Sequence, residues 1–287
     1  MTNVDQFESV FRSAAKSVFH PADIDISTVL VVTDLATEAS DAFANAVRGF
    51  LSTLDGRKGQ PTWQTLHGGN FASQGELLEQ VERFDPSLVC TYRNLHSDGW
   101  RWPHSLGEYL DVLTQIHDAP VLVCPHPEEL APDQFAQRGT DSVMAVTDHL
   151  AGDDRLVNWA VEIAENDGEL LLTHVEDERS FDRIIEVIGK IPAIDTDVAR
   201  VRIREQLLKE PHDYIRSCRT KLEEVGARVK VKEVVSLGNH LADYKRLLAE
   251  HQVDLLVLNT RDDDQMAMHG LAYPLAVELR ATPLLML

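Results

Sequence analysis

The chain contains the same short segments twice and in the same order, and this internal repeat constrains the fold more than any other feature. Residues 29–34 read VLVVTD and residues 143–148 read VMAVTD, each an apolar run that ends in Thr-Asp. Runs of this kind are typical of strands that are buried on both faces of a sheet. Self-similarity at this distance predicts two copies of one structural unit.

Further pairs of segments follow in matching order. Residues 69–70 and 238–239 both read Gly-Asn, after a strand-like run and before an amphipathic helix. Two more pairs of apolar strands are expected at residues 87–93 and 254–261, and then at 119–124 and 282–287. Strands that alternate with helices predict parallel pairing through right-handed crossovers. The sequence therefore predicts an α/β fold with two tandem doubly wound parallel-sheet domains.

The two copies have unequal lengths. From Thr-Asp to Gly-Asn the first copy uses 35 residues and the second uses 90, so the first has room for one strand–helix unit fewer. Residues 170–177 supply the extra strand of the second copy, and Pro211 should start or kink the helix after it. We expect a leader with an amphipathic helix, a reduced first domain, a linker and a second domain; their bounds are 1–27, 28–125, 126–140 and 141–287.

The charge of the chain argues against several classes of partner. Acidic residues outnumber basic ones by 47 to 27, which gives a net charge of −20 and predicts repulsion from nucleic acids and anionic lipids. No apolar run approaches the roughly 18 residues of a membrane span, and no signal peptide is expected. The cysteines, Cys90, Cys124 and Cys218, form no C-x-x-C pair. These features indicate a cytoplasmic protein.

The order of these motifs, together with His-Val-Glu at residues 174–176, resembles the universal stress protein family and its tandem two-domain members. The resemblance implies a five-stranded parallel sheet of adenine nucleotide alpha hydrolase-like topology, with copies that pair through their last strands. The strands at residues 121–124 and 284–287 are therefore expected to meet in an intramolecular pseudo-dimer. A further homodimer is left open.

The same resemblance implies where a nucleotide would bind. Its candidate contacts are Asp34, Asp148, Val175, Gly107 and Gly270. Nucleotide-binding relatives carry G-x2-G-x9-G followed by Ser or Thr, because glycines let backbone N–H groups approach the phosphates. Here only the final glycine of each copy matches, and the residues after it are Glu and Leu.

The second copy departs further from the phosphate-binding pattern. Asp262, Asp263 and Asp264 stand where the phosphate loop would begin, and each carboxylate near a phosphate costs about 1 to 4 kcal/mol. We therefore expect no cofactor, with ATP or ADP bridged by Mg²⁺ as the alternative. Asp34 and Asp148 have a structural alternative as well, since Asp at a strand end commonly caps a helix or a turn.

Two other segments could contact ligands or partners. The loop at residues 96–105, HSDGWRWPHS, could cover the reduced first domain, contact a partner or ligand, or bind zinc through His96 and His104. The stripe of Phe181, Ile184, Ile185 and Ile188 could pack in the core, form a lid, or line an apolar groove.

No catalytic or metal-binding motif is present in the sequence, so we assign no catalytic residues and no metal ligands. An enzymatic function is not indicated. The sequence predicts a universal stress protein-like regulatory protein that binds an unidentified protein partner or small ligand without ATP. The alternative is a member that binds ATP and hydrolyses it weakly.

Overall fold

The computed structural model describes residues 17–56, 59–102, 105–147, 150–260 and 272–287. Within these residues, nine strands form one sheet that is covered by helices on both faces. The amphipathic leader helix expected before residue 17 lies outside the described residues. Below, the first half denotes residues 28–125 and the second half residues 141–287.

The first half alternates strands and helices. Its apolar strands are buried between helices that turn one apolar stripe towards them, with Phe43, Val47 and Phe50 as the buried face of the first helix. In chain order its elements are β1 (Thr28–Val32), α1 (Thr37–Phe50), β2 (Thr62–Leu66), α2 (Gln74–Phe84), β3 (Leu88–Tyr92), α3 (Glu108–Ile116) and β4 (Val121–Cys124).

The second half follows a short helix in the connection, α4 (Pro132–Phe135). Its elements are β5 (Ser142–Val146), α5 (Asp154–Ile163), β6 (Gly168–Asp177), α6 (Glu178–Ile188), α7 (Thr196–Glu224), β7 (Val229–Gly238), α8 (His240–Glu250), β8 (Leu255–Leu258), α9 (Ala272–Glu278) and β9 (Leu284–Met286).

The strands lie in the order β2-β1-β3-β4-β9-β8-β5-β6-β7. All neighbours are parallel except β4 and β9, which run antiparallel with Leu122 opposite Leu285. The two strands that were expected to meet therefore do pair, and they join the halves into one continuous sheet. The α/β fold class with a mostly parallel sheet is confirmed.

The halves contribute four and five strands to this sheet. The sequence match at Gly-Asn aligned β2 with β7, the outermost strand of the second half. Instead β2 lies directly beside β1, with Val29 opposite Trp63, which is the place that β6 takes beside β5. The shorter segment between β1 and β2 thus leaves the first half without an outermost strand, and β2 forms its edge.

The connection between the halves packs against the first half. Phe135 of α4 stacks on Phe50 of α1, with ring centroids 4.8 Å apart. In the second half, Pro211 was predicted to start or kink the following helix, and it does not start it. That helix, α7, begins at Thr196, capped by the Asp195 carboxylate, and continues through Pro211.

The described residues contain no helix that is both long enough and apolar enough to cross a membrane. The cysteines are buried and free. Burial raises the pKa of the Cys90 and Cys124 thiols above their ordinary values. Both therefore pack as small apolar side chains rather than as reactive thiols.

Candidate functional site

Asp34 lies at the carboxyl end of β1, where open α/β sheets usually bind ligands, but its carboxylate is already occupied. The Tyr92 hydroxyl donates a hydrogen bond to Oδ1, and the backbone N–H of His96 donates one to Oδ2 at 2.6 Å. The backbone N–H of Asp34 donates to the Tyr92 oxygen at 3.2 Å. Asp34 is thus held by the end of β3 and by the loop after it.

Tyr92 is held in place by aromatic neighbours. Its ring meets Phe43 edge-on at 5.1 Å and His126 edge-on at 4.9 Å. Burial, and then the hydrogen bond to Asp34, raise the pKa of the Tyr92 hydroxyl well above its ordinary value. The hydroxyl therefore keeps its proton and remains the donor to the carboxylate.

His126 links this cluster to the tryptophan loop. The Trp100 ring stacks on His126 at 4.6 Å with an interplanar angle of 13°, and the Glu128 N–H donates to His126 Nδ1 at 3.2 Å. Burial lowers the pKa of His126 to about 4, and the charge of Arg280 acts in the same direction, against that of Asp34. His126 is therefore neutral at physiological pH. This agrees with its Nδ1 accepting a hydrogen bond, because an accepting ring nitrogen carries no proton.

Gly107 permits the backbone conformation of this loop. Its φ is +90°, and a Cβ atom there would lie 2.7 Å from the Cα of Asn94, which has a positive φ of its own. The Asn94 N–H donates to the carbonyl of Leu106 at 2.9 Å. The loop between β3 and α3 thus closes on itself at the place where the resemblance implied a phosphate loop. These contacts explain the glycine without a ligand.

Arg93 connects the two halves at the same place. It is 5% exposed, and its Nη2 donates to the carbonyl of Leu279, just after α9, at 2.5 Å. Burial, and then the nearby charge of Arg280, lower its pKa to about 10. Arg280 in turn donates to the carbonyl of Trp100 and pairs with Glu129. Two arginines therefore fasten the loop of the first half to the end of α9.

The remaining side chains of this loop have different surroundings. His96 packs against Phe71 and Tyr109, with ring centroids 5.1 and 5.3 Å away. Trp102, by contrast, is 55% exposed. Trp100 therefore covers part of the first half, which was one of the alternatives given for this loop. Trp102 is exposed and available to a partner. His104, the other suggested zinc ligand, lies outside the described residues.

The crevice of the second half is described only in part, because Asp148, Gly270 and the three aspartates at 262–264 lie outside the described residues. The backbone N–H of Val175 donates to the Tyr244 hydroxyl at 3.1 Å. Asp153, the N-cap of α5, accepts from Leu156 N–H at 3.0 Å and from Asn259 Nδ2 at 2.5 Å. Val175 and Asp153 are therefore engaged by their own chain.

A cleft lies at the amino ends of the strands, at the opposite end of the sheet from Asp34. It has a volume of about 720 Å³ and is bordered by the segment before β1, by residues 59–61 and by the end of α7. Apolar side chains line it together with the amides of Gln60 and Asn158 and the carboxylates of Asp23, Asp25 and Glu162. Among the described residues, no group of three or more His, Cys, Asp or Glu side chains could hold a metal ion.

Sequence reasoning identified Asp34 and Gly107 but missed Tyr92, His126, Arg93 and Arg280. Polar residues at the end of the apolar run SLVCTYR were a signal for Tyr92 and Arg93, because strand carboxyl ends line the ligand crevice. His126 lay in the expected linker, and Arg280 had no local signal. The cleft at the amino ends of the strands had none either.

Comparison with known proteins identifies one family. Residues 139–271 match the model of the universal stress protein family, so the second half contains a domain of that family. No curated protein sequence matches significantly. A universal stress protein from Archaeoglobus fulgidus DSM 4304 has 12% identity and a TM-score of 0.49, over 92% of this chain and 97% of that one. A functionally unknown protein from Pseudomonas aeruginosa PAO1 has 14% identity and a TM-score of 0.48, over 91% and 92%.

Proposed function

We propose that this chain is a universal stress protein-like regulatory protein that acts by binding a partner or small ligand, and that its first half binds no ATP. One observation carries the proposal: both carboxylate oxygens of Asp34 accept hydrogen bonds from the chain itself. The resemblance assigned adenosine contact to this residue. An adenosine there would have to compete with Tyr92 and the backbone of His96 for these oxygens.

The energy of that displacement is large compared with a nucleotide affinity. Each hydrogen bond to a charged group contributes about 1.5 to 3 kcal/mol, so losing two costs about 3 to 6 kcal/mol. A micromolar dissociation constant corresponds to about 8 kcal/mol. Opening the site would therefore weaken a micromolar dissociation constant to between about 0.2 and 25 mM, even before the stack of Trp100 on His126 is broken.

We further propose that residues 28–125 and 141–287 are two copies of one domain, the first of them reduced. The similar segments support this proposal, as does the position of each copy's last strand at the seam of the sheet. Under this proposal, β4 and β9 pair within one chain in the way that the resemblance implies for the last strands of two copies.

Two features could receive the partner or ligand. Trp102 is exposed on a loop that Trp100 and Arg280 hold in place, and interface contacts are enriched in tryptophan. The cleft of about 720 Å³ lies within the usual size range of small-molecule sites and combines apolar side chains with a few polar groups.

The alternative function, ATP binding with weak hydrolysis, would belong to the second half, because the family match covers residues 139–271. There the hydrogen bond from Val175 N–H to Tyr244 counts against a nucleotide contact at Val175. Asp148 is the residue on which this alternative depends.

Thermal unfolding with and without ATP and Mg²⁺ tests the proposal. We expect less than about one degree of stabilisation at millimolar nucleotide, since saturation at 100 times the dissociation constant would add about 2.7 kcal/mol. Asp34→Ala and Asp148→Ala form a matched pair. A saturable shift that only Asp148→Ala abolishes would establish the alternative, and one that Asp34→Ala abolishes would contradict the proposal. Native mass spectrometry of the purified chain would show what small ligand it carries.

A further inference from the structure

The helical hairpin of α6 and α7 exposes an unusual number of apolar side chains. Of the eleven large apolar side chains that are exposed among the described residues, six lie within residues 184–201, each between 43% and 57% exposed. We call them the hairpin surface: Ile184, Val187, Ile191, Ile194, Val198 and Val201. Scattered apolar residues are normal on a surface, whereas a concentration in so short a segment indicates a contact site.

Little of the hairpin is buried, so these side chains have no cover among the described residues. Phe181 and Ile185 of α6 are buried, but they are not part of the main hydrophobic core. In α7 the buried residues begin at Pro211, and no residue of 196–210 is buried. The predicted stripe of apolar residues is thus divided, with Phe181 and Ile185 buried and Ile184 exposed.

The arms of the hairpin are fixed to each other. Arg200 of α7 pairs with Asp182 of α6 at 3.1 Å, and its guanidinium lies 5.8 Å from the centre of the Phe181 ring. Lys190 pairs with Glu186 at 3.0 Å, beside the turn between the helices. Ion pairs therefore lie in the same segment as the exposed apolar residues, and a protein interface likewise combines apolar with polar contacts.

The charge of this segment differs from that of the rest of the chain. Residues 178–210 contain seven basic and seven acidic side chains, so their net charge is zero, and the whole excess of 20 acidic charges lies elsewhere. Two copies would repel each other over most of their surfaces. At the hairpin they would meet without net repulsion, and a twofold axis would form each contact between a basic and an acidic side chain twice.

We propose that the hairpin surface is the contact between two copies of this chain. A strongly basic or acidic partner would find no complementary net charge there, whereas a second copy supplies both the apolar centre and the balanced rim. This contact is separate from the β4–β9 seam, which is already closed within one chain. Salt should strengthen the dimer, because it screens the repulsion between the remaining acidic surfaces.

Sedimentation equilibrium of the full chain tests this proposal with Val198→Glu and Val201→Glu. Glu at position 198 stands three residues after the Asp195 N-cap, where an acidic side chain favours the helix, so this variant should fold like the parent. Ile116→Glu is the matched control, because Ile116 is 61% exposed in the first half.

We expect a dimer at micromolar concentration whose dissociation constant falls as NaCl is raised. Each hairpin variant should raise that constant by about tenfold or more, and the control by less than about twofold. A parent chain that stays monomeric would overturn the proposal. The hairpin surface would then be covered by residues 1–16 or by another protein instead of a second copy. A dimer that both hairpin variants leave unchanged would overturn it as well, since the contact would lie elsewhere.

Discussion

Arg93 Nη2 donates a hydrogen bond to the carbonyl of Leu279 at 2.5 Å, which connects the end of β3 in the first half to the end of α9 in the second. The positive guanidinium satisfies a carbonyl at a helix carboxyl end, where cations are favoured. Because Arg93 precedes the loop that carries His96 and Trp100, this bond also fixes the loop over Asp34. Closure of the first-half crevice and joining of the halves therefore depend on the same residue.

Replacing Arg93 should weaken the whole fold. We expect Arg93→Ala to lower the free energy of unfolding by about 2 to 3 kcal/mol, because a buried charged donor is lost and its carbonyl partners are left unsatisfied. Urea unfolding measures this change. Arg101→Ala is the control, since that arginine is exposed, and it should change stability by less than about 0.5 kcal/mol. Equal effects of the two substitutions would contradict the assigned role.

Gly107→Ala should be strongly destabilising even without any ligand. The new Cβ would lie 2.7 Å from Asn94 Cα at a φ of +90°, so we expect a loss of more than about 2 kcal/mol in thermal unfolding. Gly75→Ala in α2 is the control, since nothing lies within 4 Å of its added Cβ. It should stabilise the protein by about 0.4 to 1 kcal/mol. A neutral Gly107→Ala would mean that the loop is not closed as described.

Acid should destabilise the protein through His126. Its pKa is lowered from 6.5 to about 4, so the unfolded chain binds the proton more strongly and stability falls as the pH drops from about 6.5 to 4. At 1.36 kcal/mol for each pH unit, the loss is about 3 kcal/mol. His126→Phe keeps a ring beside Trp100 and should remove this part of the pH dependence in urea unfolding. An unchanged profile would show that His126 is not the titrating group.

The seam of the sheet should determine whether the halves unfold together. Leu285 is fully buried opposite Leu122, so Leu285→Ala should cost about 2 to 5 kcal/mol. Calorimetry should show one transition that moves to lower temperature as a whole. Val225→Ala, at an exposed position, should leave the transition unchanged. Two separated transitions in the parent would contradict a continuous sheet.

Much of the fold was predictable because a strand buried on both faces leaves a continuous apolar run in the sequence. This rule located β1, β3, β5 and β8. It could not place β2, because spacing along the chain shows that a strand exists but not which strand it pairs with. The start of α7 was missed for a related reason: the prediction relied on buried apolar faces, and no residue of 196–210 is buried.

Residues of the site were predictable only where their position next to a predicted strand identified them. Asp34 follows β1 directly and was identified, but the groups that occupy it, Tyr92 and His96, come from about 60 residues later. The loop geometry that brings them there depends on positive φ angles at Asn94 and His96, which no pattern indicated. The bond from Arg93 to Leu279 spans 186 residues and had no local sequence signal.

Isothermal titration calorimetry of the full chain with ATP and Mg²⁺ tests the central claim most directly. If Asp34 is occupied by its own chain, we expect no saturable heat up to about millimolar nucleotide. Tyr92→Phe should keep the ring packing but remove the hydroxyl bond to Asp34, so it should be the variant that gains any measurable binding. A low-micromolar dissociation constant in the parent, lost on Asp34→Ala and kept in Asp148→Ala, would contradict the account.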